Sequence, residues 1–441
     1  MATRKVIIAG AGGRDFHNFN CVYRDNPGEK VVAFTATQIP GIDQRRYPPE
    51  LAGPFYPEGI DIVPEEQLDA LIDEHDIDEV VLSYSDLPFE YVMTFASRVI
   101  AAGADFKLIG ARKTLIKSKV PVISVCAVRT GCGKSQTTRK IAGFLTEAGK
   151  RVVAIRHPMP YGNLAKQRVQ RFADLSDLDK HECTIEELEE YEPLINAGVI
   201  VMAGVDYAAI LAEAEKEADI VLWDGGNNDL PFYKPDYEIV VADPLRLGHE
   251  QTYYPGASNV LRADCVVINK AETAGAVDVA TLRDTIRRMN PDAVIIEAAS
   301  PLMVEDGDKI RGQRVLCVED GPTLTHGGMK YGAAYLAARR YGAAEIVDPR
   351  PFAVGDLKGV FEKYSHLDSV LPAVGYGDDQ VKDLAATIRA VDCDMVLIGT
   401  PIDLRRIIDI GKPTLRVLYD LQEIGDPTLE SVLKERGFFG G

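Results

Sequence analysis

The residues with the most legible chemistry lie between Val122 and Lys140, where the chain reads V-I-S-V-C-A-V-R-T-G-C-G-K-S-Q-T-T-R-K. An apolar, β-branched run leads into a glycine turn, a Gly-Lys-Ser triplet and a stretch of helical length, the layout of a phosphate-binding loop. Gly131 and Gly133 would let the backbone curl so that successive N–H groups point at phosphate oxygens. The helix that follows would turn its positive end toward the same anion. Thr130, Gly131, Cys132, Gly133, Lys134, Ser135 and Gln136 are therefore the expected nucleotide contacts. Lys134 is expected on the β- and γ-phosphates as a catalytic group, and the Ser135 hydroxyl on Mg2+.

Downstream segments come in the order such a site needs. The apolar run 220–224 ends in Asp224, followed by two glycines, and supplies a second metal-facing and catalytic group. The segment 266–272, V-V-I-N-K-A-E, resembles the guanine-reading N-K-x-D motif, with Asn269 and Lys270 in place and Glu272 where an aspartate is usual. Those three are expected nucleotide contacts. The substitution at Glu272 leaves ATP and GTP both open as cosubstrate.

Three further clusters could hold a substrate. Residues 151–173 contain no acid but carry Arg151, Arg156, His157, Lys166, Arg168 and Arg171. Arg156 and His157 follow a predicted strand, at the sheet edge where open α/β folds bind ligands, and arginine suits phosphate or carboxylate. The alternative is a basic face paired with the acidic stretch 174–192. The long loop 243–256 adds His249, beside Arg246 and Glu250. Near the N-terminus, Gly10, Gly12 and Gly13 form a dinucleotide-type turn, and Arg14, Asp15 and His17 are polar enough to line a pocket.

These groups must be positioned by alternating strands and helices. Strands are predicted at 5–9, 31–35, 79–83 and 106–109, then 122–127, 151–155, 220–223, 239–242, 265–269 and 293–297, then 315–318, 369–374, 395–399 and 414–419. The fold class is thus α/β: three consecutive Rossmann-like or P-loop layers with mainly parallel sheets. The expected domains are 1–117, N-terminal and Rossmann-like; 118–312, the P-loop NTPase domain; and 313–441, a C-terminal α/β domain. The C-terminal region could complete a cleft or form a homodimer surface.

A net charge of −18 over 441 residues argues against a general nucleic-acid or membrane-surface binder. No run is long and apolar enough to span a bilayer, and seven scattered cysteines without a CxxC pair fit a cytoplasmic protein.

Val128 stands where the usual P-loop has its first glycine, and Arg129 where one subclass carries a signature lysine. This layout resembles the SIMIBI group of P-loop proteins, which implies a catalytic role for Arg129. Together, G-A-G-G-R-D-F-H-N-F-N, A-V-R-T-G-C-G-K-S, R-H-P-M-P-Y-G, W-D-G-G-N-N-D and E-D-G-P-T-L-T-H-G-G resemble the cyclic 2,3-diphosphoglycerate synthase family of predicted GTPases over nearly the whole chain. The resemblance implies a Mg2+-requiring, ATP-dependent ligase. It would close 2,3-diphosphoglycerate, a small phosphorylated anion, into a cyclic pyrophosphate with release of ADP and phosphate. A regulatory or chaperone GTPase is the alternative.

Overall fold

A computed structural model describes residues 3–36, 45–157, 162–226, 229–375 and 378–440. Pro158–Tyr161, Asn227 and Asn228, which belong to two of the resemblance motifs, lie outside the described residues. The α/β expectation holds: three sheets follow one another along the chain, each mainly parallel and each with helices on its faces.

The first sheet has the strand order Arg46–Tyr47, Ile60–Pro64, Glu29–Ala36, Arg4–Ala9, Glu79–Leu82, Asp105–Lys107, with only the first pair antiparallel. Successive side chains of a strand point to opposite faces, and both faces here are covered. Val6 and Ile8 accordingly enter one apolar core while Ile7 and Ala9 enter another.

The central sheet has nine strands: Gln170–Phe172, Ile200–Ala203, Val152–Arg156, Ile220–Trp223, Val122–Ala127, Tyr237–Ala242, Cys265–Ile268, Val294–Ala299 and Gln422–Glu423. Only the two outermost pairings are antiparallel. The interior strands therefore all end on one edge, which brings the loops after them together. The third sheet contains Leu302–Val304, Thr414–Tyr419, Met395–Gly399, Arg314–Asp320 and Glu345–Ile346, with Leu371–Ala373 also beside Arg314–Asp320.

Two features depart from the expected division at 312/313. The strand Leu302–Val304 pairs antiparallel with Thr414–Tyr419, so the third sheet recruits residues from before that point. The chain then returns: Gln422–Glu423 extends the central sheet, and Leu421, Leu429, Val432, Leu433 and Phe438 are buried in the central core. The first layer is tied to the second by a short antiparallel pairing of Leu87–Pro88 with Tyr253–Tyr254. Among the described residues no helix is long and apolar enough to cross a membrane.

Candidate active site

The strand Val122–Ala127 is wholly buried between parallel neighbours, so its C-terminal turn opens at the middle of the sheet edge. Gly131 and Gly133 both take positive φ, 86° and 112°. A Cβ on Gly133 would stand 2.1 Å from Asn269 Nδ2, so sterics as well as backbone conformation demand glycine there. The helix Lys134–Glu147 follows directly.

Asn269 and Lys270 support this loop. Asn269 Nδ2 donates to the Cys132 carbonyl at 2.9 Å, and Lys270 Nζ donates to the Gly131 carbonyl and to Asp243 Oδ2, both at 2.7 Å. Glu272 Oε1 accepts from the Ser300 N–H at 2.9 Å, and Ser300 Oγ meets Gln136 Oε1 at 3.1 Å. Asn269 thus braces the loop through its amide, and Glu272 has one oxygen committed to Ser300. The Cys132 side chain is buried, with its thiol pushed up to about 11 by burial, so only its backbone faces ligand chemistry.

Asp224 is fully buried after its strand and accepts from both Lys134 Nζ and Arg156 Nη1. Burial pushes its carboxyl up, but Arg156 and then Lys134 outweigh that and hold it below the ordinary value. Arg156 also reaches Glu190, 2.9 Å from Nη2, so the four side chains form one chain of alternating charge. Asp224 does not itself line the cavity but lies directly behind Lys134 and Arg156, which do; with the Ser135 hydroxyl it would give an oxygen donor set that fits Mg2+ completed by phosphate and water once Lys134 moves to the phosphates.

Arg129 points elsewhere. Its Nε bonds Asp86 Oδ1 at 2.5 Å, its Nη1 meets His249 Nδ1 at 3.1 Å, and its guanidinium lies 3.9 Å over the Tyr253 ring. Neither Arg129 nor His249 lines the cavity. The expected catalytic role for Arg129 and substrate role for His249 give way to a brace between the first layer and the P-loop. Burial, and then Arg129, pull His249 down to about 4, so it is neutral. Arg246 Nη1 supports the same loop by donating to the Thr130 carbonyl at 2.7 Å.

The N-terminal glycine turn is closed by its own side chain. Asp15 Oδ1 accepts from the N–H groups of Gly12, Gly13 and Phe16 at 2.7, 3.0 and 2.7 Å, the donors that a ligand phosphate would require. His17 stacks on Phe232 with centroids 4.0 Å apart and bonds the Thr114 carbonyl at 2.7 Å. Burial first, then Arg14, lowers it to about 3, so it is a neutral packing residue outside the cavity. Arg14 does line the cavity but is engaged by Asp229 at 3.3 Å, by Thr114 and by the Leu230 carbonyl.

The basic segment is likewise neutralised. Arg151 pairs with Asp219, Arg168 with Asp206, Arg171 with Glu217, and Arg156 with Asp224 and Glu190. It therefore leaves no free cluster of arginines for a polyanion. His157 lines the cavity, packed among Tyr207, Trp223 and Phe232, with Nε2 3.7 Å from Asp229 and no hydrogen-bond partner. Burial holds it well below the ordinary histidine range.

These parts meet in a cavity of about 760 Å³ shared by all three layers. One wall was not anticipated. The helix Ile185–Asn196 presents Glu186, Glu189 and Glu190, and the end of the strand Arg314–Asp320 adds Glu319 and Asp320. Glu319 accepts three backbone N–H groups, from Gly332, Ala334 and Tyr335, yet burial raises it to about 7. Asp229, on the opposite side, is also raised to about 7 by burial, against the pull of Arg14. Among the described lining residues carboxyl groups outnumber cationic side chains eight to five, so the cavity prefers cations away from the P-loop.

No family model matches the chain. The structure of LpxK from Aquifex aeolicus in complex with ATP is similar at 13% identity over 79% of this chain and 96% of that one, with a TM-score of 0.45. Cyclic 2,3-diphosphoglycerate synthetase of Thermococcus onnurineus is 28% identical over 266 residues, covering 51% of this chain and 58% of that protein. Arginine synthetase ArcE of Thermococcus kodakarensis is 61% identical over 432 residues, 98% of this chain and 96% of that protein. With an intact P-loop and that likeness along almost its whole length, the chain is a P-loop ligase and belongs to the arginine synthetase ArcE family.

Proposed function

We propose that this protein forms arginine in an ATP-dependent ligation. The observation that carries the reading is the pairing of a P-loop with a wall of buried carboxyls in one cavity. A polyanion such as 2,3-diphosphoglycerate would meet Glu186, Glu189, Glu190, Glu319 and Asp320 as repulsion, whereas an ammonium ion or a guanidinium group would meet them as partners.

A P-loop ligase activates an oxygen by γ-phosphoryl transfer and lets a nitrogen displace it. For arginine, the oxygen to be replaced is the ureido oxygen of citrulline. Its attack on the γ-phosphorus forms a C–O–P link and releases ADP. Ammonia then forms the new C–N bond while the C–O bond breaks, with its electron pair leaving on phosphate. Ammonium and the neutral ureide carry seven N–H bonds between them, the guanidinium keeps five, and the remaining two protons leave as H2PO4−. Lys134 exchanges Asp224 for the phosphates, Ser135 and Asp224 would hold Mg2+, and Arg156 keeps Asp224 ionised. The metal, when bound, supplies neutralisation of the charge that develops on the transferred group. The rest of the acceleration comes from holding the partners in line.

The test is phosphorus NMR with mass spectrometry on the purified protein, MgATP or MgGTP, citrulline and 15N-ammonium, beside Lys134→Ala. Labelled arginine matched to ADP and phosphate supports the reading. The likeness to cyclic 2,3-diphosphoglycerate synthetase favours a second one, so a parallel tube holds 2,3-diphosphoglycerate in place of citrulline and ammonium. A pyrophosphate-type signal there, without arginine in the first tube, overturns our assignment. Turnover with GTP alone would restore the guanine-specific alternative.

A further inference from the structure

Within the acidic wall, Glu189 is set apart by meeting a carboxyl from another layer. It is 4% exposed, lines the cavity, and neither of its carboxylate oxygens receives a donor from the protein. Instead it is hydrogen-bonded to the Asp320 carboxyl, which comes from the third layer, and burial and then that carboxyl push it well above the ordinary glutamate range. Two carboxyls side by side in a buried position repel one another when both are ionised, an arrangement that persists where a cation or a shared proton sits between them. Glu319, by contrast, is satisfied by backbone N–H groups, and Glu190 by Arg156.

The pair also stands beside the phosphate loop. Thr323 Oγ1 donates to Asp320, and a Cβ on Gly131 would lie 3.2 Å from the Thr323 methyl, so one side chain separates Asp320 from the P-loop backbone. A cation held by Glu189 and Asp320 would therefore be one side chain away from the phosphate loop. Among the described residues lining the cavity there is no cysteine able to release ammonia from an amide, and the wall repels an anionic amino-acid donor.

We propose that Glu189 and Asp320 form the subsite that receives the incoming nitrogen as ammonium and takes its proton. The inference rests on the arginine-forming reading. Ammonium enters with four N–H bonds and gives one proton to the pair, which frees the lone pair that forms the C–N bond as the C–O bond to phosphate breaks. A second proton leaves the nitrogen as the guanidinium forms, and both depart with phosphate. In reverse the same carboxyls hold the guanidinium end of arginine, the same N–H cation chemistry.

Two measurements on the full-length protein test this, with Glu189→Gln and Asp320→Asn beside wild type. Equilibrium dialysis of radiolabelled guanidinium ion, with magnesium and ADP present, is expected to find one site in wild type. Each variant should weaken it about tenfold or more, the size of one charge-assisted hydrogen bond. In turnover, KM for ammonium should rise by a similar factor while KM for ATP and citrulline stays put. Hydroxylamine, already neutral at working pH, should recover most of the lost rate. Removing one of two facing carboxyls relieves repulsion, so the melting temperature should not fall. Guanidinium binding absent from wild type or equal in all three proteins, or an unchanged ammonium KM, overturns the proposal while leaving arginine synthesis standing. A guanidinium site lost in the variants of a protein that makes no arginine does the reverse.

Discussion

In the proposed reaction phosphoryl transfer turns on Lys134 and Asp224, which are already in contact. Lys134→Ala should reduce arginine formation by about a hundredfold or more in single-turnover assays, because Arg14, Arg156 and Lys270 are already engaged by Asp229, Asp224 and Asp243. Asp229 offers a pH test. Its carboxyl shifts from 3.8 to about 7 on burial, so the stability it contributes is complete below about pH 4 and lost as pH rises through 7. Across that window Asp229→Asn should flatten the fall in melting temperature; an identical slope would contradict the shift. Residue chemistry was readable where sterics demand one residue type, as at Gly131 and Gly133. It misled where a polar side chain serves its own surroundings: Asp15 closes its turn, His17 stacks on Phe232, and Arg129 holds Asp86. Sequence shows which groups are polar, but a partner can lie 215 positions away, as Asp229 does from Arg14.

At the scale of elements, two short pieces govern the site. The turn before the helix Lys134–Glu147 packs so closely that Gly133→Ala must displace Asn269 or abandon its positive φ. It should cost about 1–3 kcal/mol and weaken ATP binding at least tenfold by calorimetry. The helix Ile185–Asn196 carries the acidic wall and starts in a capping box, Thr184 with Glu187. Thr184→Ala should lower stability by about 1 kcal/mol in denaturant titration and raise KM for the cationic substrate more than for ATP, since Glu186 sits in the first turn. This wall was legible in principle. Positions 186, 189 and 190 fall on one helical face, and three glutamates so placed either meet solvent or line a site. The alternative of a basic face paired with the acidic stretch 174–192 covers Glu190, which pairs with Arg156. Neither Gln170–Phe172 nor its partner Ile200–Ala203 is among the predicted strands: both are short, and the first lies among charged residues.

On the scale of the molecule, the three α/β layers were foreseeable from alternating apolar runs, whereas the path of the chain between them was not. A two-residue strand has no periodicity to detect, and Gln422–Glu423 draws the C-terminal segment back onto the central sheet. Removing residues 421–440 should be severe. Leu421, Leu429, Val432, Leu433 and Phe438 are buried in the central core, and five such side chains at about 1.5–3 kcal/mol each rival the whole stability of a domain. The truncated chain should be insoluble, or melt far below the intact protein in calorimetry, although every described residue that lines the cavity remains. This return path also sets an order of events on the ribosome. The P-loop is made early, but the core beneath it stays open until the closing helix Leu429–Glu435 emerges. No nascent chain that stalls inside the third layer can hold a finished nucleotide site, so catalytic competence waits until the segment from Leu421 to Phe438 has followed that layer off the ribosome.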